Sequence, residues 1–157
     1  MKLTSLIKAW KVLQGIPAGK SLFGLLVSLF NPYTGALGAR VCEFRPGYAR
    51  IKLVERRAIR NHLNSIHAIA LVNLGEFVSG LALLSTMDDR VRGIPVEIKS
   101  EFIKKARGVL EAECHTRLPD ISNDVDHIVN TDILNEQGEL VAKISVKWKL
   151  GLVPVQP

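Results

Sequence analysis

The spacing of apolar residues changes twice along the chain. In the first 31 residues it follows three- and four-residue steps with a break at 15–19, which predicts two short helices, the second over 21–30. Between residues 39 and 54 the period is two, and the segments ARVCEFR and YARIKLV flank a Pro-Gly turn, which predicts a hairpin. The segment 66–84 is apolar on nearly all sides and contains no proline, which predicts a long buried helix.

Four further segments alternate between apolar and polar residues, at 96–102, 110–118, 127–133 and 140–150. Alternation of this kind is typical of strands with one core face and one solvent face. The short connections at 106–108 and 136–138 predict antiparallel hairpins between the strands that they join.

The predicted order is two helices, two strands, one long helix and four strands. A six-stranded antiparallel sheet can bury a wholly apolar helix by curling around it, so we expect an α+β hotdog fold with two N-terminal helices. We place an N-terminal helical extension at 1–32 and the hotdog domain at 33–152. Because this arrangement leaves an edge strand and part of the helix uncovered, we expect a homodimer or a dimer of dimers.

Composition indicates a packed domain, since 47% of the 157 residues are hydrophobic and 23% are charged. The net charge is +6, but it is segregated: residues 40–60 hold seven basic and two acidic residues, whereas 111–139 hold eight acidic and one basic. This pattern predicts one positive region able to receive an anion. With only nine aromatic residues of the types Phe, Trp and Tyr, a stacking surface for single strands is poorly supplied, so no nucleic-acid partner is expected.

Cysteine usage and hydropathy indicate a cytoplasmic protein. Cys42 and Cys114 have no metal or redox spacing, and we expect both to be buried free thiols in a reducing compartment. No metal site is expected. The apolar run 22–30 is too short to span a bilayer, which needs about 20 residues. An alternative for residues 1–30 is an amphipathic helix in weak contact with a membrane surface.

The chemistry-bearing residues concentrate at 60–80, before and within the long predicted helix. Glu76 is exceptional, because a carboxylate inside an apolar helix is costly unless it is paired, protonated or facing a wet cavity. It is a candidate general base or nucleophile, and the alternative is a structural glutamate that is hydrogen-bonded in the core or across a dimer seam. His67 precedes the helix, where free backbone N–H groups can stabilise an oxyanion, although a histidine there can equally be a cap.

Three residues in this window fit a known motif. Asn61, His67 and Glu76 keep the spacing of the Asn, His and acidic residue in hotdog-fold acyl-CoA thioesterases of the phenylacetate-degradation type, which this stretch resembles. The short sequence motifs NHL, HA and LGE within 61–76, together with PGYAR at 46–50, resemble those of a family of uncharacterised bacterial hotdog proteins regarded as thioesterases. That resemblance extends from about residue 33 to residue 150.

The resemblance implies hydrolysis of an acyl thioester whose carbonyl lies over the helix N-terminus. The N–H of Ala68 would hold the oxyanion, Asn61 would orient the substrate or the water, and His67 would shape the helix entrance. Glu76 from the other subunit of a dimer would activate water or attack directly. Asn64 and Asn73 are further substrate-binding candidates. Asn64 is among the polar residues that precede the helix, and Asn73 is three residues from Glu76, on the same helix face.

No separate cofactor is implied, since coenzyme A would be part of the substrate. Its phosphates would need basic side chains near the mouth of the site, and the candidates are Arg56, Arg57, Arg60, Arg90, Arg92, Lys104, Lys105 and Arg107. The chain has His-Ala-Ile and Glu where the better-studied thioesterases have His-Gly-Gly and Asp. A non-catalytic acyl-CoA or lipid-binding hotdog protein, with the water site closed by Ile69 and the longer Glu76, is therefore the alternative.

Overall fold

The computed structural model describes residues 3–153, with side chains from residue 6 onward. Four α-helices and six strands follow one another along the chain: α1 Leu3–Leu13, α2 Gly19–Phe30, the single turn α3 Pro32–Gly35, β1 Arg40–Arg45, β2 Tyr48–Val54, α4 Ala68–Leu84, β3 Val91–Phe102, β4 Val109–His115, β5 Val125–Asn135 and β6 Leu140–Leu152. A short 3-10 turn, Arg57–Ile59, lies between β2 and α4. Within the described part of the chain, no helix has the length and apolar character needed to cross a membrane.

The six strands form one antiparallel sheet in the order β1-β2-β4-β5-β6-β3, and α4 packs against all of them. This confirms the predicted α+β hotdog arrangement. Alternate strand residues face α4 and are buried, as in β2 (Ala49, Ile51, Leu53) and β4 (Leu110, Ala112, Cys114). The core therefore lies between α4 and one face of the sheet, as the period-two pattern requires.

The predicted hairpin at 106–108 is wrong, whereas the one at 136–138 is confirmed as the turn between β5 and β6. Strand β3 pairs with β6 at the end of the sheet, and β4 lies between β2 and β5. The six residues 103–108 must cross the ends of β5 and β6, a distance of about 14 Å at the usual strand spacing. An extended segment of this length reaches about 20 Å, so a short connection does not require adjacent strands.

The two predicted N-terminal helices are confirmed, with α2 beginning at Gly19 rather than at residue 21. They pack against β1 through an aromatic cluster in which the Trp10 ring lies 5.0 Å from Phe23 and 6.3 Å from Phe44, centroid to centroid. The helices thus cover the β1 edge, and all three rings belong to the main core. The domain boundary at residue 32 stays a prediction.

Helix α4 approaches the sheet closely at Gly75. A methyl group placed there would lie 2.4 Å from Cβ of Ile144 on β6, so only glycine permits this separation. Thr131 of β5 donates a hydrogen bond from Oγ1 to the Gly75 carbonyl at 3.1 Å. These contacts fix the position of the helix, and with it the position of the neighbouring Glu76.

The cysteines differ in their surroundings. Cys114 is buried on β4, and desolvation raises the pKa of its thiol to about 12. Cys42 on β1 is only half-buried, which corrects the expectation that both are buried, because Val41 and Phe44 rather than Cys42 turn into the core on this strand. Both thiols are free.

Candidate active site at helix α4

Helix α4 begins at Ala68, and His67 is its N-cap with an extended backbone conformation. The Nδ1 atom of His67 accepts a hydrogen bond from the Ile69 N–H at 3.1 Å, so this nitrogen carries no proton and Nε2 carries it. The side chain thereby satisfies one of the free N–H groups of the first turn. Within residues 3–153 the Ala68 N–H makes no hydrogen bond, which leaves a donor at the positive end of the helix dipole.

Asn61 organises the loop that precedes the helix. Its Oδ1 atom accepts hydrogen bonds from the N–H of Leu63 at 2.9 Å and from both the N–H and the hydroxyl of Ser65 at 3.2 Å. Asn64 lies in the same loop, exposed and with a positive φ of 52°. Because its Oδ1 is fully engaged, Asn61 can offer a substrate only its Nδ2 donors.

Two adjoining grooves run along the uncovered side of α4, and Tyr33, Ile69 and Asn73 line both. The first has a volume of about 280 Å³ and is completed by Asn31, Thr34, Val72, Glu76 and Ile98. The second has a volume of about 250 Å³ and reaches back to His67 and Arg60. Thr34 donates from Oγ1 to Oδ1 of Asn73 at 3.1 Å, which fixes the amide between the two grooves.

Glu76 is the only acidic residue lining the first groove, within the described residues. Burial raises the pKa of its carboxyl above the ordinary glutamate value. Among residues 3–153 no hydrogen-bond or ion-pair partner of this carboxyl is found; Ser79 donates to the Glu76 backbone carbonyl instead, at 2.8 Å. An unpaired, partly desolvated carboxyl beside a groove is chemically able to act as a general base toward water.

The far end of the Glu76 side chain lies near Gly80 and Trp148. A methyl group at Gly80 would be 3.9 Å from Oε1 of Glu76 and 3.5 Å from the Trp148 ring. The indole Nε1 of Trp148 is buried and lacks a hydrogen-bond partner among the described residues. This apolar neighbour on β6 contributes to the desolvation of the carboxyl.

The structure divides the sequence-predicted residues into two groups. His67 and Ala68 lie at the start of α4 with Asn61 and Asn64 in the preceding loop, whereas Asn73 and Glu76 lie further along the helix. Ala68 and Glu76 are eight residues apart, which is about 12 Å along a helix axis. Within one chain, the candidate oxyanion donor and the candidate base therefore cannot act on the same carbonyl.

Four of the eight basic candidates are engaged in ion pairs or hydrogen bonds, and only Arg60 lines either groove within the described residues. Arg60, which lines the second groove, pairs with Glu55 at 2.5 Å, and the Arg56 guanidinium donates to the Ala36 carbonyl. Arg90 pairs with Asp88 at 2.6 Å and Lys104 with Glu139 at 2.6 Å. The remaining candidates, Arg57, Arg92, Lys105 and Arg107, are exposed.

The segregated charge of the sequence does not form one open positive region. Arg50 and Lys52 on β2 pair with Glu111 on β4 at 3.1 and 3.2 Å, so strand pairing brings the basic and acidic segments together. The expectation of an anion-receiving region at 40–60 therefore needs correction, since cross-strand ion pairs neutralise part of it.

Sequence reasoning missed the residues that α3 contributes. Tyr33 and Thr34 line the first groove with Asn31, whose side chain caps α3 by accepting from the Thr34 N–H at 3.4 Å. The signal available in the sequence was the Asn-Pro pair at 31–32, which is typical of a helix start.

Comparison with known proteins identifies similarity at the level of family and fold. The model of a family described as a domain of unknown function, DUF4442, matches residues 19–150. The comparison with curated proteins finds no match.

Solved structures resemble the chain over most of its length. A Pseudomonas aeruginosa protein of unknown function, described as a probable thioesterase, is 24% identical with a TM-score of 0.76, covering 88% of this chain and 97% of its own. A thioesterase from Haemophilus influenzae is 14% identical with a TM-score of 0.73, covering 87% and 93%. A variant of a Staphylococcus aureus thioesterase is 16% identical with a TM-score of 0.65, covering 73% and 94%. At these identities the likeness establishes the shared fold.

Proposed function

The chain belongs to the DUF4442 family, and from its hotdog fold and the geometry around α4 we propose that it is a thioesterase that hydrolyses an acyl thioester, with acyl-CoA as the substrate class. The observation that carries the proposal is the carboxyl of Glu76, which is partly buried, unpaired within residues 3–153 and beside an apolar groove. Neutral acyl chains fit such a groove, and water activated by a carboxylate can attack the thioester carbonyl.

The site requires two copies of the chain. Strand β3 is an edge strand whose apolar side chains are exposed, and one of them, Ile98, also lines the first groove. A second copy paired at this edge would cover Ile98 and extend the sheet. In the homodimer that we propose, or in a dimer of dimers, Glu76 of one copy and the Ala68 N–H of the other act on the same substrate carbonyl. The 12 Å separation of the two groups within one chain is then no obstacle.

In the proposed reaction the thioester carbonyl accepts a hydrogen bond from the Ala68 N–H. Glu76 of the second copy takes a proton from water, whose oxygen bonds to the carbonyl carbon while the oxyanion is held at the helix N-terminus. The C–S bond then breaks, and the leaving thiolate takes the proton back from Glu76. The products are the carboxylic acid and the free thiol, and Nδ2 of Asn61 and the amide of Asn73 help to orient the substrate.

Release of free thiol from short, medium, long and aryl acyl-CoAs tests the proposal. Glu76→Gln is expected to lower kcat on the best substrate by about 10²-fold or more, as is typical for loss of a general base. The exposed Glu136→Gln in the β5–β6 turn is the matched control and should keep full turnover. Full turnover of Glu76→Gln would contradict the assigned role.

Ala68→Pro tests the oxyanion donor with little structural cost. Proline is favoured at the first helical position and its only loss there is the N–H, while His67 already has the extended backbone that precedes proline. We expect a loss of about 10²-fold in kcat, whereas Ala68→Gly, which keeps the N–H, should retain most activity. Equal activity of the two variants would refute the N–H role.

Mixed dimers test whether the site is shared between copies. When Glu76→Gln and Ala68→Pro chains are refolded together, about half of the dimers contain one of each, and each such dimer has one intact site out of two. Activity should recover to about a quarter of wild type. If both groups belonged to the same chain, no activity would return.

The alternative is a non-catalytic acyl-binding protein, favoured by one observation. Ile69 is 55% exposed and lines both grooves, where it narrows the approach to the helix N-terminus. Tight binding of acyl-CoA without thiol release by the wild type, and by an Ile69→Gly variant as well, would support this alternative.

A further inference from the structure

Helix α2 has two apolar faces, and only one of them is packed. Phe23 and Val27 are buried against the core, whereas Leu22, Leu25 and Leu29 are 46%, 56% and 67% exposed. The three exposed leucines recur at i, i+3 and i+7, so they form one stripe on the helix, here called the leucine stripe. A stripe of large apolar side chains facing solvent is typical of an interaction surface.

The C-terminal end of α2 leads directly into the candidate active site. Phe30 at the end of α2 is 58% exposed and Tyr33 on α3 is 70% exposed. Tyr33 and the intervening Asn31 line the first groove beside Glu76. By helical spacing Phe30 follows the packed face of Phe23 and Val27 rather than the leucine stripe. The end of α2 that carries Leu29 nevertheless lies next to the mouth of the groove, because Asn31 and Tyr33 follow it directly.

The charge of the surrounding segment indicates what covers the leucine stripe. Residues 1–42 contain four lysines and one arginine, and the first acidic residue of the chain is Glu43. A stripe of leucines on a segment without any carboxylate suits an anionic lipid surface, to which lysine is attracted and from which Asp and Glu are repelled. The aromatic side chains at its end, Phe30 and Tyr33, are of the kind that settle at the lipid–water interface.

A second copy of the chain fits the leucine stripe less well. Contacts between identical copies are usually two-fold symmetric, so they would place two N-terminal segments of the same positive sign together. The edge strand β3 already offers a surface for pairing through its exposed apolar residues Ile94, Val96 and Ile98.

We propose that the leucine stripe of α2 docks the protein on an anionic lipid bilayer, with α2 lying in the plane of the membrane surface and the groove at α4 opening toward the lipid. The apolar side chains enter the interface, and the exposed Lys8 and Lys11 of α1 meet the lipid head groups. At 12 residues α2 is too short to span the bilayer, so the contact is reversible.

The docking has a consequence for substrate class, which rests on the proposed thioesterase function. An acyl thioester with a long chain partitions into the bilayer, and a groove that opens toward the lipid can receive that chain without exposing it to water. The preferred substrates are therefore long-chain acyl thioesters presented at a membrane surface.

Flotation of the full chain with lipid vesicles tests the docking without any need for catalysis. The wild type should float with phosphatidylcholine vesicles that contain about 30% phosphatidylglycerol, and less with pure phosphatidylcholine or at high salt. Leu25→Gln/Leu29→Gln should lower the partition coefficient by about tenfold or more, because each leucine exposes half or more of its surface.

The matched control is Val54→Gln/Ile128→Gln. These side chains are 55% and 58% exposed on the solvent face of the sheet, away from the leucine stripe, and this variant should float like the wild type. Equal flotation of the leucine variant and the wild type, or no flotation of the wild type on anionic vesicles, would overturn the docking. A smaller mass of the leucine variant in light scattering would show that a second copy covers the stripe, and would overturn it too.

Hydrolysis measurements separate this inference from the proposed function. If both are correct, the leucine variant loses activity on long-chain acyl-CoA carried by anionic vesicles but keeps wild-type activity on a soluble short-chain substrate. Flotation without hydrolysis of any acyl thioester would refute the thioesterase function and leave the docking standing. Hydrolysis with equal vesicle-borne activity in both proteins would refute the membrane route for the substrate.

Discussion

Two glycines five residues apart in α4 are expected to respond oppositely to the same change. Gly75 and Gly80 both lie inside the helix, where alanine is intrinsically favoured by about 0.5–1 kcal/mol because glycine loses more backbone entropy on folding. Any difference between Gly75→Ala and Gly80→Ala therefore comes from what each added methyl group meets.

At Gly75 the methyl group would lie 2.4 Å from both Cβ and Cγ1 of Ile144 and 2.7 Å from its Cγ2. Cβ of Ile144 is fixed by the backbone of β6, so no rotamer change relieves the overlap and the helix must move. Overpacking of this kind costs about 1–3 kcal/mol, which exceeds the gain in helix propensity. We expect a net loss of about 1–2 kcal/mol.

At Gly80 the nearest atoms to the methyl group are in the Trp148 ring at 3.5 and 3.6 Å, followed by Oε1 of Glu76 at 3.9 Å. These are ordinary contacts, so the propensity gain remains and the variant should be more stable by about 0.5–1 kcal/mol. For a chain of this size, each 1 kcal/mol moves Tm by about 2–4 °C.

Urea unfolding followed by circular dichroism at fixed protein concentration, with thermal melts in parallel, measures both variants. Fixed concentration matters because a dimer is stabilised by its own concentration. The midpoint should fall for Gly75→Ala and rise for Gly80→Ala, with an unchanged dependence on urea. A Gly75→Ala variant as stable as the wild type would refute the inference that close contact with β6 requires glycine.

Three further changes have defined outcomes. Burial raises the pKa of Glu76, so the free energy of unfolding of the wild type falls as pH rises through the folded-state pKa and the carboxyl becomes charged. Glu76→Gln should therefore be more stable than the wild type at neutral pH. Urea titrations at a series of pH values should show this gain in stability vanish below the ordinary glutamate pKa. Asn61→Ala should destabilise by about 1–3 kcal/mol in the same assay because three donors lose their acceptor, whereas Asn61→Asp should fold normally. In the native protein a thiol reagent should label Cys42 but not Cys114, because burial raises the pKa of the Cys114 thiol to about 12. Both cysteines should be labelled in denaturant, and mass spectrometry of the peptides identifies the labelled sites. Labelling of Cys114 in the native protein would contradict its burial.

The helices and strands were predicted well because each shows its own spacing of apolar residues within a short segment of the sequence. Strand alternation identified the buried face of β2, β4 and β6, and the long apolar run identified α4. Glu76 could be singled out because a carboxylate in that run has a desolvation cost that needs an explanation. By contrast, the sequence does not predict that α4 is uncovered at Ile69 and Asn73, because a helix that is apolar all round is expected to be buried all round.

The order of the strands in the sheet could not be predicted from the pattern of neighbouring residues. Alternation specifies which side chains share a face of a strand, but it does not specify the neighbouring strand, so β3 was expected beside β4. Its place next to β6 follows from contacts made far along the chain, such as Ile98 opposite Val146. The single turn α3 escaped detection for another reason, because four residues are too few to show a helical period.

The two faces of α2 illustrate a further limit. Phe23 and Leu25 are equally apolar in the sequence, and periodicity alone cannot decide which of two apolar faces meets the core. Packing against Trp10 and Phe44 selects the Phe23 face, since an aromatic cluster buries more surface than the leucines could there. The leucine stripe therefore becomes visible only after the core has been assigned.

The organisation of α4 explains why one helix carries both the core and the proposed chemistry. Gly75 allows the helix to press against β6 on one side, so that buried residues such as Leu74 and Val78 secure it in the sheet. Glu76, the next residue, is then held at the rim of the groove by a helix that cannot rotate to bring it into water. A rigid, partly desolvated carboxyl keeps a raised pKa, whereas a mobile surface glutamate would regain its hydration and its ordinary acidity. Loosening the Gly75 contact should therefore lower the pKa of Glu76 as well as the stability of the fold, since both depend on the same approach of helix to sheet.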